Sequence, residues 1–105
     1  MLDLSILKEK TWDVKLFDGE VLHVKRPSQR MVIEMMGYEE TFKKQKDIKK
    51  TLESFSNMLL DILNNNINDK QFDLTYVENN FDMAIGMAFV NSYMEFVKEI
   101  NSNPN

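Results

Sequence analysis

Residues 12–25, Trp12-Asp13-Val14-Lys15-Leu16-Phe17-Asp18-Gly19-Glu20-Val21-Leu22-His23-Val24-Lys25, form the one β-like passage of the chain. Two runs of alternating apolar and polar residues flank Asp18-Gly19, a strong local hairpin signal. Which faces the two runs present decides the loop length. A two-residue turn would pair Leu16 with Val21 and send Leu22 and Val24 to the face opposite Val14, because a one-residue slip exchanges faces. A three-residue loop, Phe17-Asp18-Gly19, instead pairs Val14 with Leu22 and Trp12 with Val24, and gives Gly19 the left-handed position such a loop needs. One face then carries Trp12, Val14, Leu16, Leu22 and Val24, and the other Asp13, Lys15, Val21 and His23. The odd loop is preferred. A lone hairpin must bury its apolar face against something, and its outer strand edges could accept a strand from a neighbouring chain.

Beyond the hairpin the apolar period changes to that of helices. Arg26-Pro27 ends the second strand, and Ser28 is placed to cap a helix over about residues 28 to 45. Met31, Met35, Tyr38 and Phe42 share one face of it, with Val32 and Met36 beside them. A second helix is expected over about 47 to 65, where Ile48, Leu52, Phe55, Leu59 and Ile62 make a narrow seam that the asparagines from Asn64 onward bring to an end. Thr75 and Glu78 fit a capping box that opens a third helix over about 76 to 100. One side of this helix carries Val77, Phe81, Ala84, Ile85, Ala88, Phe89, Ser92 and Phe96, and the small residues there would admit a close neighbouring helix. The other carries Met83, Met87, Val90, Met94 and Val97. Residues 101–105 read as a polar tail. The expectation is a single α+β domain, mainly helical: a hairpin over about 11 to 26 followed by three α-helices, ββααα.

Composition narrows the function classes. With 43% hydrophobic and 29% charged residues, the 105-residue chain is ordinary for one globular domain. A net charge of −4 argues against nucleic acid, and the basic run from Lys43 to Lys50 is expected to be a solvated helix end or turn. Without cysteine, thiol catalysis, disulfides and the usual structural zinc sites are not expected. No apolar run approaches the ~20 residues that span a bilayer, and the N-terminus does not read as a signal peptide, so a cytoplasmic location is expected. His23, the single histidine, stands opposite Asp13 in the preferred register, yet no Ser nucleophile has a recognisable setting. Asn64 to Asp69 is oxygen-rich but lacks the spacing of a calcium loop, and three glycines make no phosphate cradle. Neither an enzyme nor a cofactor is expected.

Methionine carries more information. Eight in 105 residues is many, and this flexible side chain suits adaptable binding surfaces as well as irregular cores. Met83, Met87, Val90 and Met94 are the candidate partner-contact face, with burial in the core as the other option. A chain this short has little other apolar surface to cover both sides of its last helix, so self-association is expected.

The N-terminal third is also familiar. Ser5-Ile6-Leu7-Lys8-Glu9-Lys10-Thr11-Trp12-Asp13-Val14-Lys15-Leu16, then Asp18-Gly19, then Val24-Lys25-Arg26-Pro27-Ser28, resembles small tail assembly chaperones of long-tailed phages and prophages of Gram-positive bacteria. The rest of the chain is similar to them in architecture and composition only. The resemblance implies a protein without catalytic residues that binds the tape measure protein in the host cytoplasm, keeps it soluble and recruits tail tube subunits. Copies lined up along such a rod would favour head-to-tail contacts over a closed dimer. A different class remains open: a small regulatory or inhibitory protein-binding module that could touch DNA through Lys43 to Lys50.

Overall fold

Val14 faces Leu22 and Trp12 faces Val24 in the antiparallel pair of β1 (Thr11–Lys15) and β2 (Val21–Lys25). The Leu16 amide donates to the Glu20 carbonyl at 2.7 Å and the Gly19 amide to the Leu16 carbonyl at 2.9 Å, which closes a loop of Phe17, Asp18 and Gly19. Gly19 has φ +91°, as the odd loop requires. In this computed structural model, which describes residues 1–44 and 47–102 and not the side chains at 7–9, 42 and 100–102, the hairpin is joined by five helices. They are α1 (Leu4–Glu9), α2 (Gln29–Lys44), α3 (Ile48–Asn64), α4 (Leu74–Asn80) and α5 (Met83–Ser102).

The α+β class with an N-terminal hairpin holds, but the count of three helices does not. Asp3 starts the extra N-terminal helix: its carboxylate accepts from the Ser5 amide at 3.0 Å. More consequentially, the helix expected over about 76 to 100 is two helices. Asp73 rather than Thr75 caps the first, accepting from the Tyr76 amide at 2.9 Å. Phe81 then leaves helical geometry (φ −112°, ψ 126°). Asp82 recaps the chain by accepting from the Ile85 amide at 2.8 Å. The interruption follows from aromatic packing. Phe81 is drawn against Phe17 at 5.2 Å between ring centroids and against Phe89 at 5.5 Å, both near perpendicular. Ser28 and Asp47 cap α2 and α3, accepting from the amides of Met31 at 3.2 Å and Lys49 at 3.0 Å. The expected helix end at Gln45, the middle of the basic run, the Phe42 side chain and the tail beyond residue 102 lie outside the described residues.

The core forms where the apolar hairpin face meets α2, α3, α4 and α5. Leu22, Val24, Ile62, Leu63 and Tyr93 are sealed completely, and Leu59 and Val77 nearly so. Trp12 packs edge-on to Phe89 at 5.1 Å and tilted on Tyr93 at 5.3 Å, which ties the strand to α5. Tyr93 uses its polar end as well, donating its hydroxyl to the Lys25 carbonyl at 2.9 Å.

The asparagines after α3 do more than end a helix. The segment runs antiparallel beside β2, with Asn66 bridged to Val24. The Lys25 amide donates to the Asn65 carbonyl at 2.7 Å, and the Ile67 amide to the His23 carbonyl at 2.9 Å. Side chains supply the rest. Asn68 accepts from the His23 amide at 2.9 Å and donates to the Val21 carbonyl at 3.1 Å, while Asn65 donates to the Lys25 carbonyl at 3.1 Å. Asn66 itself, nearly buried, donates to the carbonyls of Leu63 and Lys70 and accepts from the amides of Asn68 and Lys70. The outer edge of β2 is thereby closed by the backbone of this segment and its amide side chains together.

Candidate functional site

The inward line of α5 is Gly86, Phe89 and Tyr93. Gly86 lets α3 approach so closely that a Cβ on it would sit 2.6 Å from the Phe55 ring. This corrects the expected use of small residues: Ala84, Ala88 and Ser92 face solvent, and the close approach runs through the glycine. It also moves the two apolar sides. Met83, Met87, Val90 and Met94 flank the inward line by roughly a quarter turn instead of lying opposite a buried face.

Position along the helix then divides that stripe. Met83 and Met87 are each 46% exposed, and neighbouring Ile85 is 41% exposed. Val90 and Met94 are half-buried and pack against the core. The candidate face therefore stays on one side of one helix, but only its N-terminal half is open surface; Ile85, about 200° round the helix from Met83 and Met87, is exposed on the opposite flank.

A second apolar surface escaped the sequence reading. The seam of α3 runs off the core at its start: Phe55, Leu59 and Ile62 are buried, whereas Ile48 is 76% and Leu52 45% exposed. Leu52 and Leu74 floor an open groove of about 460 Å³ between α3 and α4, rimmed by Lys49, Glu53, Ser56, Asn57 and Glu78. The period alone could not reveal this, because Ile48 and Leu52 fit the seam as well as its buried members. Likewise Val32 and Met36, expected beside the buried face of α2, are 40% and 60% exposed.

The polar hairpin face holds the pair anticipated from register. His23 Nδ1 lies 2.7 Å from Asp13 Oδ1, and the Thr11 hydroxyl donates to the same oxygen at 2.8 Å. The hydrogen bond with His23, and then that from Thr11, holds the Asp13 carboxyl below the usual aspartate range. The Lys70–Glu20 ion pair ties the asparagine segment to the hairpin loop. Among the described residues no group of three or more His, Asp or Glu side chains is arranged to hold a metal, and no helix is long and apolar enough to cross a membrane. What the geometry presents is exposed apolar and unpaired surface: flexible thioethers on α5, an amphipathic groove beside α3, and a strand edge. Compared with known proteins, the chain matches no family model, no curated sequence and no solved structure.

Proposed function

We propose that the chain is a non-enzymatic tail assembly chaperone of a long-tailed phage or prophage, which binds and solubilises the tape measure protein in the host cytoplasm and helps recruit tail tube subunits. The N-terminal resemblance names the client. The observation that carries the proposal is the open pair of thioethers, Met83 and Met87, one turn apart on α5 beside a closed core. A client that is a long, repetitive, amphipathic helix needs a surface tolerant of many side-chain shapes, and methionine supplies that tolerance. The groove over Leu52 and Leu74 gives a second helix-accepting surface with charged rims.

Co-expression with a tape measure protein of long helical sequence tests the proposal. The wild-type chain is expected to keep the client in the soluble fraction and to co-purify with it. The double variant Met83→Asp/Met87→Asp, folded by circular dichroism, is expected to lose both effects. Equal rescue by the wild type and the folded double variant removes α5 as the client surface, and no rescue by the wild type removes the chaperone function.

A further inference from the structure

The hairpin has one closed edge and one open edge. In an antiparallel ladder, every second residue turns its backbone groups toward the partner strand and the others turn theirs away. The Leu16–Glu20 bond fixes the phase: Leu16, Val14 and Trp12 bond inward to β2, so Asp13 and Lys15, with Thr11 before them, direct their amides and carbonyls outward. The same parity governs β2, where the outward groups of Val21, His23 and Lys25 are those taken up by Asn65, Ile67 and Asn68. Nothing equivalent covers β1. Among the described residues, no group accepts or donates at the outward backbone of Thr11, Asp13 or Lys15.

We infer that the open edge of β1 pairs antiparallel with β1 of a second copy of this chain, in the register that sets Asp13 of each copy opposite Lys15 of the other. Charge selects this register. Setting Asp13 against Asp13 would oppose like charges, which destabilises a cross-strand pair. Shifting by two residues places a carboxylate against an ammonium twice, and both are outward-facing positions, so each pair also exchanges two backbone hydrogen bonds. Lys15 is exposed, with no carboxylate partner among the described residues. On the other face the two-fold axis passes between the two Val14 side chains, and Val14 is half-buried in the isolated chain. The product is a four-stranded sheet in the order β2-β1-β1-β2, with an asparagine segment sealing each end. One open edge per chain makes the assembly stop at two. This dimer does not depend on the chaperone proposal, and it uses neither Met83 nor Met87.

Sedimentation analysis of the full chain, with three variants, tests the inference. The wild type is expected at twice the chain mass at high concentration. Asp13→Lys alone and Lys15→Asp alone set like charges opposite each other and are expected to be folded monomers. Their equimolar mixture restores both opposite-charge pairs and is expected to dimerise. Val14→Cys adds the chain's sole cysteine at the two-fold axis and is expected to oxidise to a covalent dimer. A monomeric wild type, single charge variants that dimerise as well as the wild type, or a mixture that stays monomeric overturns the inference. A Val14→Cys chain that resists cross-linking overturns the register. Loss of client binding in Met83→Asp/Met87→Asp with the dimer intact keeps the two proposals separate.

Discussion

Gly86 of α5 lies directly against the Phe55 ring of α3: a Cβ there would fall 2.6 Å from Cε1 and 3.0 Å from Cζ, with Leu59 Cδ1 at 3.2 Å. The two helices meet through the absence of a side chain. Alanine is the better helix former by about 1 kcal/mol, but forcing a methyl group into a packed ring costs about 1–3 kcal/mol. Gly86→Ala is therefore expected to lower stability by about 1 kcal/mol net, read by urea denaturation. Gly37 meets nothing within 4 Å. Gly37→Ala is expected to raise stability by about 0.5–1 kcal/mol in the same assay, and a gain at both sites would mean that the α3–α5 contact yields freely.

Asn66 is the nearly buried polar residue whose amide group satisfies four backbone partners. Asn66→Ala leaves those groups short of partners, an expected loss of about 2–4 kcal/mol. Asn66→Asp keeps the shape but turns a carboxylate toward the Leu63 and Lys70 carbonyls, where the amide nitrogen had donated at 2.7 Å and 3.0 Å. It is expected to be at least as damaging at neutral pH. A near-neutral result for the aspartate would show that the segment can refold around the change.

Burial pushes the Tyr93 hydroxyl up to about 12, and burial followed by the hydrogen bond to Asp61 does the same for Tyr38. Both folded values stand above the ordinary value of 10.0. The stabilisation tied to the neutral phenols is therefore full below pH 10 and is lost as pH rises through about 12. Thermal midpoints between pH 9 and pH 12 are expected to fall, with tyrosinate absorbance rising late and steeply as the chain unfolds. Tyr93→Phe is expected to flatten that decline; an unchanged slope would place the alkaline sensitivity elsewhere.

Substitution along α5 is expected to separate surface from support. Met87→Asp, at a position 46% exposed, should change stability by no more than about 0.5 kcal/mol. Val90→Asp puts a carboxylate where a half-buried side chain packs on the core, an expected loss of about 1–3 kcal/mol. Chemical denaturation of the two variants checks the boundary; equal losses would mean that Met87 is as much a core residue as Val90.

The hairpin, its register and the Ser28 cap were legible because each rests on neighbours within a few residues: alternation around Asp18-Gly19, and a hydroxyl three positions before the Met31 amide. The break at Phe81-Asp82 was hidden because Phe81 continues the apolar spacing from Val77 by four, while the ring that draws it out of the helix, Phe17, is remote in sequence. The Met83 to Met94 face was found as a stripe but not as a boundary. Where it leaves the core depends on Gly86 and Phe55 meeting, and no periodicity encodes that. The pairing of the asparagines with β2 was hidden, since their bonds to it reach back as far as 47 residues. Asp3 did carry a signal for α1, in an N-cap residue just before Leu4.

The asparagine seal on β2 has a consequence for synthesis. The hairpin is made before its partners: the side chain that holds the His23 amide is 45 residues downstream, and the hydroxyl that holds the Lys25 carbonyl is 68 downstream. A two-stranded ribbon is marginal by itself, so the nascent chain carries an unfinished sheet until those downstream residues have been translated. Completion of the hairpin thus waits on elements made well after it, and a product cut short before them would expose both of its borders to whatever strand it meets.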